Sequence, residues 1–458
     1  MLRRSMRHDP HGWWIAEAGA PDPRPPLDED LDADVVVVGG GFSGLWAAWH
    51  VLDEEPGARV ALLEAGRCGF GPSGRNGGFV NSLWLSAPAL RERFGAGPAE
   101  RLASASADSV RAIGAWCAAE GIDACYRAAA HPVLSGAPAQ DGVGAAAVDG
   151  NEVVALSAAE AQAICASPVL RGGVSVRTAA TVHPARLAFG LRERLLARGV
   201  RIYEGTRVRA LRGASAETPG GRVRAGAAIL ALGAHSGALP ELRNRLTVAS
   251  SHVVVTEPVP DVIEALGWTG GEPITDGRAL LHYFRTTPDG RILFGWAGGR
   301  IAAGARPGGR MEVDREVIAQ TRRHLERTFP ALSGRRIAHA WGGPIDVSPA
   351  HVPSVVSLPG APAYAAFGYT GNGVGPSHLA GRALASLALG RRDAFSRLAI
   401  VDPPAVAVPP EPLRVAGATV VRRAIVRKEA AEEAGGRADP LTRAVAGLPA
   451  RLEMHLVR

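Results

Sequence analysis

Lysine is almost missing from this chain: of the 51 basic side chains only Lys428 is a lysine, which leaves 51 − 1 = 50 arginines. Cysteine is scarce as well. Cys68, Cys117, Cys125 and Cys165 are the four in 458 residues, and they show no CxxC pair and no zinc-ligand spacing. That excludes a disulfide scaffold and a structural zinc site, and predicts reduced thiols in a cytoplasmic protein. No apolar run reaches the roughly 18 residues of a membrane-spanning helix, and the opening MLRRSMRHDPHGWW lacks the apolar stretch of a secretory signal. The 51 basic residues exceed the 44 acidic ones and set the net charge at +7. The arginines are nevertheless scattered in ones and twos, without a basic block or interleaved aromatics, which argues against a nucleic-acid partner. No internal repeat is found.

What is present is an ordinary globular balance, 47% hydrophobic and 21% charged, at a length that can bury a large core without staples. Residues 1–32 read as a lead-in, Pro- and Asp-rich from 20 onward. Asp34-Val-Val-Val-Val38 is an uninterrupted β-branched run of the kind buried on both faces of a parallel sheet. Gly39, Gly41 and Gly44 follow in GxGxxG spacing, then Leu45, Ala48, Trp49 and Leu52 at helical spacing, then a second apolar run, 59–63, ending in Glu64. This is a βαβ unit. Helices are predicted over 183–199, 312–328 and 377–389, and strands over 200–203, 208–211, 227–232 and 364–368. Between 250 and 300 the runs SHVVVTE, ALLHYFRT and RILFGW alternate or are aromatic between turn signals, as in an antiparallel sheet. The chain is therefore expected to be α/β, a Rossmann-like dinucleotide-binding domain (33–85, 175–245 and 336–400) interleaved with an antiparallel-sheet substrate domain (86–174 and 246–335). A Pro-rich strap and helix, 401–458, is expected to dock back onto it.

GxGxxG alone is a weak signal, but here a strand precedes it, a helix follows it, and an acid ends the next strand. Gly39 permits the tight turn, Gly41 lets backbone N–H groups approach a pyrophosphate, and Gly44 lets the helix pack on the strand. Phe42 and Ser43 open that helix, whose N-terminus carries partial positive charge. Glu64, followed by Ala65, would accept hydrogen bonds from an adenosine ribose and repel a 2′-phosphate, which disfavours NADP. A second relaxed match, 142–147, follows loop sequence and is discarded; with one such unit a separate NAD(P)H domain is not expected. The spacing cannot separate NAD from FAD.

The run from Asp34 to Glu64, with GFGPSGRNGGFVNS (69–82), HPARL (183–187), ALGAHSG (231–237), HYFRTTPDGRILFGW (282–296), AWGGPIDVSPAHVP (340–353) and GYTGNGVGPSHLAGR (368–382), resembles the D-amino acid oxidase superfamily of FAD-dependent amine oxidoreductases. Within it the chain is most similar to the γ-glutamylputrescine oxidase and aminophosphonate oxidoreductase branch, with the glycine/D-amino acid oxidase type of fold. The resemblance implies that Ser73, Gly74, Arg75, Asn76, Gly77 and Gly78 pass close to the flavin, and that Val208 meets the adenine through its backbone. It places Gly233 beside the pyrophosphate, and Gly371, Asn372, Gly373 and Val374 at the flavin pyrimidine edge. Asn372 stands where the branch usually has histidine. Gly342 stands near the position at which sarcosine-oxidase relatives carry a flavin-linked cysteine, so FAD is expected to be noncovalent. Those relatives also use a lysine to assist oxygen; Lys428 lies in the tail, so either another cation such as His252 or an arginine serves oxygen, or the acceptor is a quinone or carrier protein.

Amino acid oxidases of the superfamily grip the substrate carboxylate with arginine. Arg285 is a candidate, but a second such arginine has no counterpart in 341–346, which favours an amine bearing a distal anionic or polar group over a simple α-amino acid. His252, Tyr283, Trp296 and Trp341 lie on segments expected to line the pocket, with His252 as candidate proton acceptor; His183 and His351 are expected to be structural. The expectation is oxidation of an amine to an imine that hydrolyses to an aldehyde, with oxygen or another acceptor. A flavoprotein without turnover is the rival from another class.

Overall fold

The valine run does form a strand, Leu31–Val38, in which Val36 and Val37 have no solvent exposure. The computed structural model describes residues 6–451. β-Branched side chains suit such a strand because they pack well on both faces of a pleated surface and lose little rotamer freedom there. Its neighbours Val60–Leu63 and Arg222–Leu230 run parallel to it, in the register Val38↔Leu63 and Val38↔Leu230. The smaller sheet has the order Ser354–Ser357, Ala363–Phe367, Arg222–Leu230, Leu31–Val38, Val60–Leu63, Arg201–Tyr203. Only Ser354–Ser357 is antiparallel along that path. The crossover helix Phe42–Glu54 packs under the helix Val374–Ala388, where a Cβ on Gly381 would lie 2.7 Å from the Trp46 Cβ. That close approach requires glycine.

The larger sheet is mostly antiparallel and has the order Arg7–His8, Ile337–Val347, Thr247–Thr256, Ile292–Trp296, His282–Thr286, Ile274–Asp276, Arg127–Leu134, Gly173–Thr181, Phe79–Asn81. One face is covered by the amphipathic helix Arg315–Thr328, capped by Asp314, whose carboxylate accepts the N–H groups of Glu316 and Val317 at 3.0 and 3.2 Å. Val254, Phe284 and Phe294 pack there against Ile318 and Leu325.

Sheet membership departs from the boundaries expected on sequence. Phe79–Asn81, Ile337–Val347 and all but the first two residues of Gly173–Thr181 fall within segments assigned to the dinucleotide-binding domain, yet all three strands pair in the larger sheet. A strand's partner is set by contacts distant in sequence, and its own pattern does not carry them. Residues 1–32 are also more than a lead-in: Arg7–His8 adds an edge strand parallel to Ile337–Val347, and the helix Gly12–Ala18 buries Trp13, Trp14 and Ile15. The long helix Ala96–Ala119 was not anticipated. The predicted strand over 208–211 begins only at Ala210. The tail helix Leu413–Glu433 docks back, as expected. Glu429 accepts the Ala279 N–H at 2.8 Å, and Arg414 donates to the Leu246 carbonyl at 3.0 Å. Among the described residues, no helix is long and apolar enough to cross a membrane.

Candidate active site

The turn after Leu31–Val38 is built for close backbone approach. Gly39 has φ +110°, and a Cβ there would stand 2.3 Å from the Ala231 carbonyl oxygen; one on Gly44 would stand 1.9 Å from the Gly39 oxygen. Non-glycine residues fit neither position. The first N–H groups of Phe42–Glu54 have no partner within the helix. The Phe42 N–H is taken by Ser73 Oγ at 2.9 Å, which ties this turn to the 69–78 segment. Ser43 donates to the Tyr369 hydroxyl at 2.6 Å, linking the turn to the 368–374 segment too, while the Phe42 ring is buried in the core. Glu64 accepts from the Gly40 and Gly66 N–H groups, both at 2.7 Å, and burial holds its carboxyl above the usual range. It buttresses the glycine turn as well as standing at the strand end expected for a ribose ligand. Ala65 beyond it is exposed. Gly233 (φ +51°) opens a short helical turn, Gly233–Ala238, in which Ser236 Oγ is buried without a partner. Val208 lies just outside the sheet ladder. These features fit a bound dinucleotide.

Within the 69–78 segment, the Arg75 and Asn76 side chains face the protein. Arg75 is 7% exposed, donates to the Pro10 carbonyl and sits 3.7 Å from Glu312. Asn76 donates to the Ser73 carbonyl at 2.7 Å and accepts the Gly78 N–H at 2.7 Å, closing its own turn. What this loop can offer a flavin is therefore backbone: Gly74 and Gly78 leave 2.3 Å between a would-be Cβ and the Gly69 and Val182 oxygens. Across the sheet, Gly373 caps the helix Val374–Ala388, Gly371 has φ +80°, and Asn372 Oδ1 is buried without a hydrogen-bond donor. A helix N-terminus beside an unsatisfied amide oxygen suits a polar heterocycle edge.

Register sorts the predicted pocket residues onto two faces of the larger sheet. His252 pairs with Trp296 and Gly342, and Trp296 stacks edge-on to His324 at 4.8 Å. Both therefore point under the helix Arg315–Thr328. His252 has no solvent exposure, and neither ring nitrogen makes a well-formed hydrogen bond; burial pulls its pKa down to about 4. Ser251, one residue away, projects to the opposite face, where its hydroxyl meets the Tyr283 hydroxyl at 2.8 Å. The Tyr283 ring lies 5.8 Å from that of Phe79 and within 3.0 Å of where a Cβ on Gly77 would be. Tyr283 is thus brought to the 69–78 loop, and burial pushes its phenol up to about 12.

Trp341 and Arg285 share that face but anchor the scaffold. Trp341 Nε1 donates to the Arg75 carbonyl at 2.8 Å and is 1% exposed. Arg285 Nη1 donates to the Val182 and Gly78 carbonyls at 2.8 and 3.0 Å and Nε to Thr286 at 3.0 Å; burial lowers its pKa to about 9. Those carbonyls occupy Nε and Nη1, leaving Nη2 alone for a substrate carboxylate. His183, expected to be structural, caps the helix Pro184–Ala197 by accepting the Arg186 N–H at 3.2 Å and pairs with Glu17 at 2.6 Å.

Along the Ser251–Tyr283 face a largely apolar cavity of about 360 Å³ opens, lined by Ala249, Ile345, His351 and Thr370 and closed by the tail helix through Val421, Arg422 and Ile425. Strand geometry puts Ser251 two residues, or about 7 Å, beyond the lining residue Ala249 on the same face. Gly343, paired with Ser251, has open space where a Cβ would be. Ser251 and Arg422 were missed on sequence; no pattern marks either until register and helix docking are known.

The family described as DAO, FAD dependent oxidoreductase, matches residues 34–387. The chain belongs to this family. Gamma-glutamylputrescine oxidoreductase of Escherichia coli (strain K12) is 31% identical over 412 residues, spanning 86% of this chain and 93% of that protein. A probable oxidoreductase OrdL of Rhizobium meliloti (strain 1021) is 28% identical, spanning 83% and 89%. Among solved structures, glycine oxidase from Geobacillus kaustophilus superposes with a TM-score of 0.63 at 21% identity, covering 80% of this chain and 96% of that one. The DAO-family fold expected from the sequence is therefore the one present, and the protein is an FAD-dependent oxidoreductase.

Proposed function

We propose that this DAO-family protein oxidises the C–N bond of a primary or secondary amine carrying a distal anionic group, giving an imine that hydrolyses to an aldehyde. The observation that carries the proposal is the Ser251–Tyr283 hydroxyl pair, 2.8 Å apart and against the Gly77 turn, on the sheet face of Ala249, which lines an apolar cavity. The 39–44, 64, 73–78, 208, 233 and 371–374 positions would hold FAD noncovalently, and the flavin would supply the hydride acceptor. The rest is the chain's own work. An amine of pKa about 10 is protonated at pH 7, and removing that proton costs roughly 4 kcal/mol. A desolvating apolar cavity lowers the cost by disfavouring the cation. Tyr283, with its phenol neutral to about pH 12, offers a hydroxyl that orients the free amine without competing as a base. The substrate named by the Escherichia coli relative, γ-glutamylputrescine, is an amine of this class, with its carboxylate distal to the reacting nitrogen.

Oxygen is the proposed acceptor. A second reading, with a quinone or carrier protein as acceptor, is favoured by one observation: the single lysine, Lys428, lies on the tail helix, where it pairs with Glu432 at 2.7 Å. An anaerobic screen of polyamines, ω-amino acids, aminophosphonates, N-methyl amino acids and simple α-amino acids for flavin bleaching tests the reaction; bleaching by the α-amino acids alone would overturn the substrate class. Stopped-flow reoxidation in air then separates the acceptors, slow return of the oxidised spectrum favouring the carrier.

A further inference from the structure

The helix Leu413–Glu433 lies beyond residues 34–387 that match the family, yet it forms a wall of the cavity. Ala418, Val421, Arg422 and Ile425 recur at the spacing of one helix face and line it together. Three arginines line this cavity, and their partners differ. Arg278 sits between Asp276, Glu433 and His282 Nε2. Arg414 is held by Glu411 at 2.9 Å and by the Arg243 and Leu246 carbonyls. Arg422 alone has no carboxylate partner among the described residues; it donates through Nε at 3.0 Å, and through Nη2, to the Gly298 carbonyl. The one lining carboxylate, Asp276, accepts from His282 Nδ1 at 2.7 Å and so is not available to it. Burial and the neighbouring Arg300 and Arg423 lower the pKa of Arg422, with Asp314 opposing them, and its guanidinium lies 6.0 Å over the Trp296 ring. A guanidinium with a free edge on an apolar wall gains most from an oxyanion, which takes two parallel N–H donors.

We propose that Arg422 receives the anionic group at the end of the substrate distal to the amine, a carboxylate or a phosphonate, and that the tail helix is thereby a specificity element of the oxidase site. This rests on reading the cavity as the amine site. The amine end would lie toward Ser251–Tyr283 and the anionic end toward the Gly298 turn, with the apolar span between them set by Ala249, Ile345, Val421 and Ile425. Arg422 touches substrate only at the non-reacting end, so its loss should act on binding before it acts on the chemical step.

The test uses holoenzyme, wild type and the Arg422→Gln, Arg422→Lys and Arg422→Glu variants, each checked for FAD content and far-UV circular dichroism. Anaerobic flavin reduction is followed with 5-aminopentanoate, 3-aminopropylphosphonate and the neutral comparator pentylamine. In the wild type the anionic amines should be preferred. In Arg422→Gln the ratio of kcat/KM for anionic over neutral amine should fall roughly 30- to 300-fold, mostly through KM, as expected for one charge-assisted partner removed from a shielded site. Arg422→Lys should recover part of that ratio, and Arg422→Glu should shift preference toward putrescine. The carboxylate and phosphonate arms show which oxyanion fits. Equal losses on anionic and neutral amines, or a wild type that does not distinguish them, would overturn the proposal. If no amine bleaches the flavin, the amine-oxidising reading fails. Calorimetric titration with pentanoate and butylphosphonate still decides the role of Arg422, because binding should be lost in Arg422→Gln and kept in Arg422→Lys; binding unchanged in both would refute it.

Discussion

Replacing Gly39 with alanine should remove most of the FAD affinity while the remainder of the fold stays assembled. Gly39 sits at φ +110°, where an L side chain carries about 1–3 kcal/mol of backbone strain. In addition, its Cβ would stand 2.3 Å from the Ala231 oxygen. An ordinary carbon–oxygen contact is about 3.3 Å, so the turn must move by about 1 Å. That displacement is twice the tolerance of the hydrogen bonds by which backbone N–H groups hold a pyrophosphate. Losing about 3 kcal/mol at this turn weakens FAD binding by about 100-fold. The entropy gained by removing a glycine from the unfolded chain, about 0.4–1 kcal/mol, does not offset it. The assay is quenching of FAD fluorescence on titrating deflavinated protein, with thermal unfolding followed in parallel. Gly57→Ala is the control, since Gly57 has no atom within 4 Å of its would-be Cβ and no positive φ; it should bind FAD as the wild type does. A Gly39→Ala protein that holds FAD within about threefold of wild type would refute the close-approach reasoning.

Four other outcomes are expected. Arg285→Met leaves the Val182 carbonyl without its Arg285 donor, while the Gly78 carbonyl keeps the Val182 N–H at 2.9 Å, and should destabilise by about 1–3 kcal/mol in urea unfolding, with equal KM changes for anionic and neutral amines; a selective rise for anionic ones would restore Arg285 as the carboxylate grip. Tyr283→Phe should keep its FAD and lower kcat/KM by roughly 3- to 10-fold, the value of one hydroxyl hydrogen bond; an unchanged rate would remove Tyr283 from the site. His252, held at about 4 against an ordinary 6.5, binds its proton more readily unfolded, so stability falls as pH drops below 6.5, by about 2 kcal/mol at pH 5. His252→Leu should flatten that acid limb of stability and leave the pH profile of flavin reduction above pH 6 unchanged; loss of the low-pH fall in the rate of flavin reduction would make His252 the proton acceptor after all. Arg192→Ala strands Glu204, whose carboxylate pairs with it at 2.9 Å with both side chains almost fully buried, and should cost about 3–5 kcal/mol by chemical denaturation; a loss under 1 kcal/mol would contradict the burial.

Local pattern alone determined the βαβ unit, because its information is contiguous: a β-branched run, a glycine spacing that only one turn geometry satisfies, and an acid at the next strand end. The same holds for the helices opening near Pro184 and Asp314 and for the glycine segment 371–375, where backbone requirement and residue type coincide. Tertiary structure decided the rest. Which face His252 or Ser251 occupies follows from the pairing His252↔Gly342, and shifting that register by one would exchange them. Whether Arg285 greets substrate or scaffold depended on two carbonyls, Gly78 and Val182, more than a hundred residues upstream. Arg422 reads on sequence as one more solvated arginine of a basic helix, and only the docking of that helix across the sheet gives it a cavity to face. Periodicity records how a segment folds on itself, whereas a site is made where separate segments meet.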